Sequence, residues 1–379
     1  MSALLVSVIA LTALALLFDF TNGFHDAANS ISTVVATRAM PAKAAVWFSA
    51  FFNFVALFFV GTAVANTVSK VVKTDSVAVV FGALMAAIMW NYLTWWIGMP
   101  SSSSHALIGG LIGAGMAIGG SAAVNWSSVQ KVAWAIVLSP AIAFSVAFVA
   151  TALVWAIQKL TRWNDNHKGF KGLQVVSAAC VSYGHGANDA QKTMGVIAAL
   201  LVAAGYVEAG KNIDVPWWVA VSSYGAIAIG TAWGGWKIIE TMGLKLTSLN
   251  AKTGVAANIG ATTAIFGATA YGIPISTTHA AASSVIGAGV GARRATNWRL
   301  IGQMATAWVV TLPTTAVVGY LLASLTKLPT VLAWIVITPI LIAVAIVIGI
   351  AMKNSLGAKH LQREIAADDV LVTDQRVPV

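Results

Sequence analysis

The chain has 379 residues, of which 58% are hydrophobic and only 9% charged, with a formal net charge of +10. An ordinary soluble domain carries about 25% charged residues, so the composition excludes a soluble enzyme, a disordered chain and a disulfide scaffold, and most of the surface must face lipid. Cys180 is the one cysteine, which excludes an internal disulfide.

Residues 3–18 are apolar, with no Lys or Arg before them. Lacking a basic leader region, they read as a retained span rather than a signal peptide. Arg38 and Lys43 follow, and the positive-inside rule sets them in the cytoplasm and the N-terminus outside. Further apolar runs lie at about 44–64, 77–98, 103–120, 129–157, 173–206, 217–235, 255–272, 276–291, 300–325 and 329–352. At about 20 residues per crossing, they predict an all-α polytopic membrane protein with about 10–12 transmembrane helices. The runs at 103–120 and 276–291 are short and rich in Gly, Ser and Thr, and predict re-entrant or broken helices.

The polar stretch 158–172 carries Lys159, Arg162, Lys168 and Lys171 against Asp165, and Arg293, Arg294 and Arg299 mark another basic loop. Both are expected on the cytoplasmic side. In the tail, 353–379, Lys353, Lys359, Arg363 and Arg376 are balanced by Glu364, Asp368, Asp369 and Asp374, a composition expected to be flexible. The basic excess therefore sits in the loops, as membrane topology requires, and does not point to nucleic acid. The expected division is a first membrane repeat at 1–157, a short cytoplasmic loop at 158–172, a second repeat at 173–325, an extra transmembrane helix at 326–352 and the tail.

The repeat rests on two matched segments. Residues 100–115 and 274–289 share eight of sixteen residues at an offset of 174, including Pro100/Pro274, Ser102/Ser276 and His105/His279; Ser103 and Ser104 match Thr277 and Thr278. Upstream, Gly23–Ala27 matches Gly186–Ala190 at an offset of 163, setting Asp26 against Asp189 and His25 against Asn188. Basic residues follow the first Asp segment and precede the second, so the two run through the membrane in opposite directions. That is an inverted-topology repeat, with its site near the midplane between the halves.

A carboxylate at membrane depth costs on the order of 2.5–3.5 kcal/mol, so matched Asp26 and Asp189 point to a shared cation site; the alternative is a structural carboxylate bonded to backbone or hydroxyl. Asp19 has no counterpart and reads equally as helix packing or ion path. The hydroxyl runs Ser101–Ser104 and Ser276–Thr278 each follow a Pro and open a small-residue helix. Such residues cap helices, and the free N–H groups and dipole of a helix start attract anions. Two matched openings favour an oxyanion site over simple capping. His105 and His279, each just after a run, are expected beside the site. Asn29, Gln191 and Thr193 are candidate anion ligands. Lys192 either neutralises Asp189 or lies on the anion path. His25 beside Asp26 can carry a proton near neutral pH, whereas Asn188 offers a carbonyl oxygen, a ligand for a hard cation.

The motifs Asn22–Ser30 and Gly184–Gly195, the run Ser101–His105 and the segment Ile275–His279 resemble the signatures of the PiT family of inorganic phosphate transporters, over about residues 15–325. The resemblance, closest to the bacterial low-affinity type, implies a non-enzymatic symporter of inorganic phosphate with a cation in a multi-pass protein of the cell (inner) membrane. It implies phosphate ligands at Ser102, Ser103, Ser104, Ser276, Thr277, Thr278, Asn29, Gln191 and Thr193, and cation coupling at Asp26, Asp189, His25 and Asn188, supported by His105, His279 and Lys192. No cofactor is expected beyond the transported H+ or Na+, with a divalent metal–phosphate complex as a further form of the substrate and a homodimer as a further partner. Two departures stand out: the long central loop of many relatives is reduced to about 158–172, and His25-Asp26 replaces the Asn-Asp pair of sodium-coupled relatives, which favours a proton over sodium. The rival readings are a transporter of another tetrahedral oxyanion, such as sulfate or arsenate, and an intramembrane Ser/His hydrolase. The hydrolase needs one constellation, whereas every candidate here occurs twice.

Overall fold

A computed structural model describes residues 2–73, 76–165, 167–208, 210, 212–353, 357 and 360–361. The expectation of a flexible tail falls almost wholly outside the described residues. The described chain is helical throughout: α1 (Ala3–Ala36), α2 (Ala42–Val55), α3 (Ala63–Val68), α4 (Val77–Ile97), α5 (Ser103–Gly119), α6 (Trp126–Thr161), α7 (Lys168–Ala203), α8 (Trp217–Trp233), α9 (Trp236–Glu240), α10 (Ala251–Ala270), α11 (Thr277–Gly291), α12 (Trp298–Leu325) and α13 (Thr330–Lys353).

Helices α1, α4, α6, α12 and α13 contain segments long and apolar enough to cross a membrane, and large apolar side chains such as Trp134, Val149, Ile229, Val309 and Ile335 are exposed along the helices. In water that surface would drive aggregation; in lipid it is the solvent-facing side. Helix α7 is 36 residues long but carries a buried polar centre. Helices α2, α5, α8 and α11 run only 14 to 17 residues, roughly 21–26 Å at 1.5 Å per residue, short of the ~30 Å apolar thickness of a bilayer.

Three boundaries differ from expectation. The run 44–64 is not one helix: α2 stops at Val55, and α3 restarts at Ala63, its first amides, Val64 and Ala65, donating to the Gln191 side-chain carbonyl at 2.9 and 3.3 Å. The run 217–235 ends at Gly234, whose φ of 79° suits glycine. The segment expected as a loop at 158–172 is helical at both ends: α6 continues to Thr161, with Lys159 laid over the Trp155 ring at 3.7 Å, and α7 starts at Lys168, where the His167 ring accepts from the Gly169 amide.

The helix packing pairs the two sequence-matched segments in the same way. α6 packs on α10 and α11, while α12 packs on α4 and α5, so each half's last long helix covers the other half's short one. Gly113 of α5 lies against the Ala316 backbone of α12, and the matched Gly287 of α11 lies against Phe144 of α6; a Cβ at either would strike a carbonyl. Gly98 and Gly272, at φ 73° and 64°, end the preceding helices at equivalent points. α1 and α7 cross antiparallel through the centre. Asn22 Nδ2 donates to Asp189 Oδ2 at 3.3 Å, Thr37 to Gln174 Oε1 at 2.7 Å, and Lys171 Nζ to the Arg38 carbonyl at 3.3 Å, so numbers rise along one helix as they fall along the other.

Candidate functional site

The middle of α1 carries Asn22, His25, Asp26 and Asn29, all essentially buried, and the middle of α7 carries His185, Asn188, Asp189, Lys192 and Thr193, likewise buried. Neither helix could hold such a face toward lipid, so both turn it inward, where the starts of α5 and α11 arrive. Ser102 caps α5 by accepting from the His105 amide at 3.1 Å, and Ser276 caps α11 by accepting from the His279 amide at 3.2 Å. The amides of Ser103, Ser104, Thr277 and Thr278 have no acceptor within their own helices.

The hydroxyls one residue further on reach those carboxylates. Thr277 Oγ1 lies 3.3 Å from Asp26 Oδ2 and 3.2 Å from Asp189 Oδ2, and Ser103 donates to Asp26 Oδ1 at 3.4 Å. Asn29 Nδ2 donates to Thr277 and Thr278 hydroxyls at 3.3 and 3.1 Å. Ser104 donates to the Ile275 carbonyl at 2.9 Å. Lys192 Nζ donates to Asp189 Oδ1 at 2.6 Å, to the Ile275 carbonyl at 2.8 Å and to Ser104 Oγ. The result is a compact cluster that joins both halves of the chain through side chains.

His25 bridges Asp26 and α4: Nδ1 is 2.5 Å from Asp26 Oδ1, and Nε2 is 3.0 Å from Thr94 Oγ1. Asp26, His185 and Asp189 each present one ligand atom, all within 4.8 Å of one another. His185 Nδ1 faces Asn53 Oδ1 at 3.2 Å, which leaves Nε2 toward Asp189 Oδ2 at 3.5 Å. With the other ring nitrogen donating to Asn53, Nε2 can offer its lone pair to a cation.

Other candidates face elsewhere. Gln191 spends its carbonyl on the start of α3 and its amide on the Ala187 carbonyl at 2.6 Å. Asn188 clasps the turn between α10 and α11, donating to Thr269 and the Ile273 carbonyl and accepting from the Ile275 amide. Thr193 and Asn22 lie beside Asp19, whose two carboxylate oxygens are buried. His105 and His279 meet edge to face at 4.5 Å, and His279 stacks on Trp308 at 4.1 Å. Asn22 and His185 join the site although the sequence motifs do not single them out for it. The signal was available: each precedes its own helix's aspartate by four residues and so shares its face, at the matched offset of 163.

Fold and site together define a multi-pass α-helical membrane protein whose polar centre combines two helix starts with paired carboxylates. Residues 22–319 match the Phosphate transporter family, and the chain belongs to that family, a class of transporters rather than enzymes. It is 47% identical over 319 residues to a Rhizobium meliloti protein named "Probable low-affinity inorganic phosphate transporter", covering 83% of this chain and 95% of that one. A Bacillus subtilis protein of the same name is 42% identical over 327 residues, covering 84% and 97%. A solved structure, "The sodium-dependent phosphate transporter", shares the fold with a TM-score of 0.77 at 24% identity, over 85% of this chain and 99% of that one.

Proposed function

We propose that the protein imports inorganic phosphate by symport with a cation, alternating access around the central cluster. The observation that carries this is Thr277: one hydroxyl in the first turn of α11 sits between both buried carboxylates, while Ser103 of α5 reaches one of them. Anion-attracting helix starts and anionic side chains repel each other's ligands unless a cation or a proton joins the anion. A phosphate carrying protons can itself donate to Asp26 or Asp189, which sulfate at neutral pH cannot do.

In this reading phosphate is held by Ser103, Ser104, Thr277, Thr278 and Asn29 together with the free amides of the two helix starts. Ser102 and Ser276 fix those starts, and Gln191, Asn188 and Thr193 shape the walls. The coupling ion is a proton carried by the His25–Asp26 pair, since a carboxylate–imidazole pair takes up and releases a proton with small changes of environment. If sodium is the coupling ion instead, Asp26, His185 and Asp189 supply its ligands. The halves, 1–157 and 173–325, form an inverted-topology repeat in the cell membrane, and antiparallel crossing of α1 and α7 supports that arrangement.

Uptake of labelled phosphate into proteoliposomes, with proton and sodium gradients imposed separately, tests the reading. An inward proton gradient drives accumulation without sodium, and His25→Asn blunts its pH dependence. Accumulation that needs sodium and ignores pH makes His25 a structural neighbour only; accumulation under neither gradient ends the symport reading.

A further inference from the structure

Lys192 is among the largest fully buried side chains of the protein. Its ammonium donates to a carboxylate oxygen of Asp189, to the hydroxyl of Ser104 and to the carbonyl of Ile275. An ammonium has three N–H donors and no more, so all are spent on protein oxygens and none remains for a substrate oxyanion. The three acceptors come from three places: the middle of α7, the first turn of α5 and the residues just before α11. A carboxylate, a hydroxyl and a backbone carbonyl converging on one point form the oxygen set that hard cations take.

The first half holds the same frame without the charge. The offset of 163 sets Lys192 against Asn29 and Asp189 against Asp26, and the offset of 174 sets Ser104 against Thr278. Asn29 reaches Thr278 at 3.1 Å as Lys192 reaches Ser104. Asn29 is neutral, and its Oδ1 is buried with no hydrogen-bond partner among the described residues. One frame thus carries a fixed positive charge, and its counterpart carries a carbonyl oxygen that could itself ligate a cation.

We propose that the Lys192 ammonium is a tethered cation filling an oxygen cage that would otherwise bind a monovalent metal ion, so that the second half supplies its cation covalently and co-transports none there. The consequence for stoichiometry rests on the symport reading; the cage itself does not.

The test uses the purified full-length protein in detergent, with NaCl compared against choline chloride at equal ionic strength. Lys192→Asn restores the residue of the first half and opens the cage; Lys192→Met fills it without charge. Sodium is expected to raise the melting temperature of Lys192→Asn saturably, by more than it raises that of wild type or Lys192→Met. Labelled-phosphate binding by Lys192→Met should fall about tenfold or more in either salt, because the Asp189 carboxylate is then left without its cation beside the anion, whereas sodium should restore binding to Lys192→Asn. Where Lys192→Asn does not fold, Lys192→Ala opens the same cage. An equal sodium response in wild type and both variants overturns the proposal, as does wild-type phosphate binding by Lys192→Met in choline. The melting measurement involves no transport, so failure of symport in vesicles and failure of the cage are separate results.

Discussion

Thr277→Val removes one oxygen from the centre of the cluster and leaves the shape of the side chain. The hydroxyl stands 3.3 Å from Asp26 Oδ2 and 3.2 Å from Asp189 Oδ2 and accepts from Asn29 at 3.3 Å. It has one proton, so it serves one carboxylate at a time, and only one donated bond should be counted. In the proposed complex that one proton is given to phosphate; a hydrogen bond to a charged partner contributes about 1.5–3 kcal/mol, so its loss should lower phosphate affinity roughly 10- to 150-fold. Valine keeps the β-branch and the cap at Ser276 is untouched, so the start of α11 should persist. Thr277→Ser keeps the donor and should bind nearly as wild type does. Thr263→Val is the control, because that exposed hydroxyl bonds only the Ile259 carbonyl of its own helix. Equilibrium binding of labelled phosphate to purified protein, with initial uptake rates in proteoliposomes, reads the effect. Binding by Thr277→Val indistinguishable from wild type, with the control also unchanged, would refute the assignment of α11's first turn to the substrate.

Gly287→Ala and Gly113→Ala should each lower the melting temperature in detergent, since a Cβ at either glycine strikes the carbonyl of Phe144 or Ala316 and overpacking costs about 1–3 kcal/mol; Gly302→Ala, with open space around it, should not. Asp165 ties three segments together, bonded to Lys252 at 2.9 Å, Arg294 at 2.8 Å, Gln158 at 2.9 Å and Asn250 at 2.9 Å. Partial burial pushes its pKa up, but hydrogen bonds from Lys252 and Gln158 and the charges of Lys252 and Arg294 outweigh this and hold it below the ordinary value. A depressed carboxyl pKa stabilises the fold above the unfolded value and loses that contribution as pH falls through the folded one. Asp165→Asn should therefore destabilise the protein at neutral pH, with the gap from wild type closing below about pH 4 in thermal melts across pH. Single cysteines near Arg38, His167 and Arg293, in a Cys180→Ala background, should all label from the cytoplasmic side; labelling near His167 from outside would remove the inverted arrangement.

Much of this architecture is legible in the sequence because lipid imposes long apolar runs and punishes buried charge. The helices α4, α5, α11, α12 and α13 fall within a few residues of their expected runs, and the sequence match between the two segments singles out Asp26, Asp189, Ser103 and Thr277, which the fold brings together. What was not legible depends on side chains that meet only in the fold. Nothing in the run 44–64 announces a break at Val55, since the amides it exposes are satisfied by Gln191, well over a hundred residues away. Asn188 matches His25 by position, yet its amide clasps the α10–α11 turn, while His25 reaches Thr94. Lys192 could be read as a partner of Asp189 or as a charge on the anion path; only its other two acceptors, Ser104 and Ile275, show that its donors are all occupied.

Coupling through the paired carboxylates is tested most directly by gradient-driven accumulation of labelled phosphate by Asp26→Asn and Asp189→Asn, each reconstituted after its melting temperature has shown that it is folded. Thr277 meets one carboxylate from each half, Asp26 and Asp189, so each should be indispensable. Both variants should lose accumulation against a phosphate gradient while wild type retains it. Normal accumulation by either folded variant would contradict a cation-coupled site shared between Asp26 and Asp189.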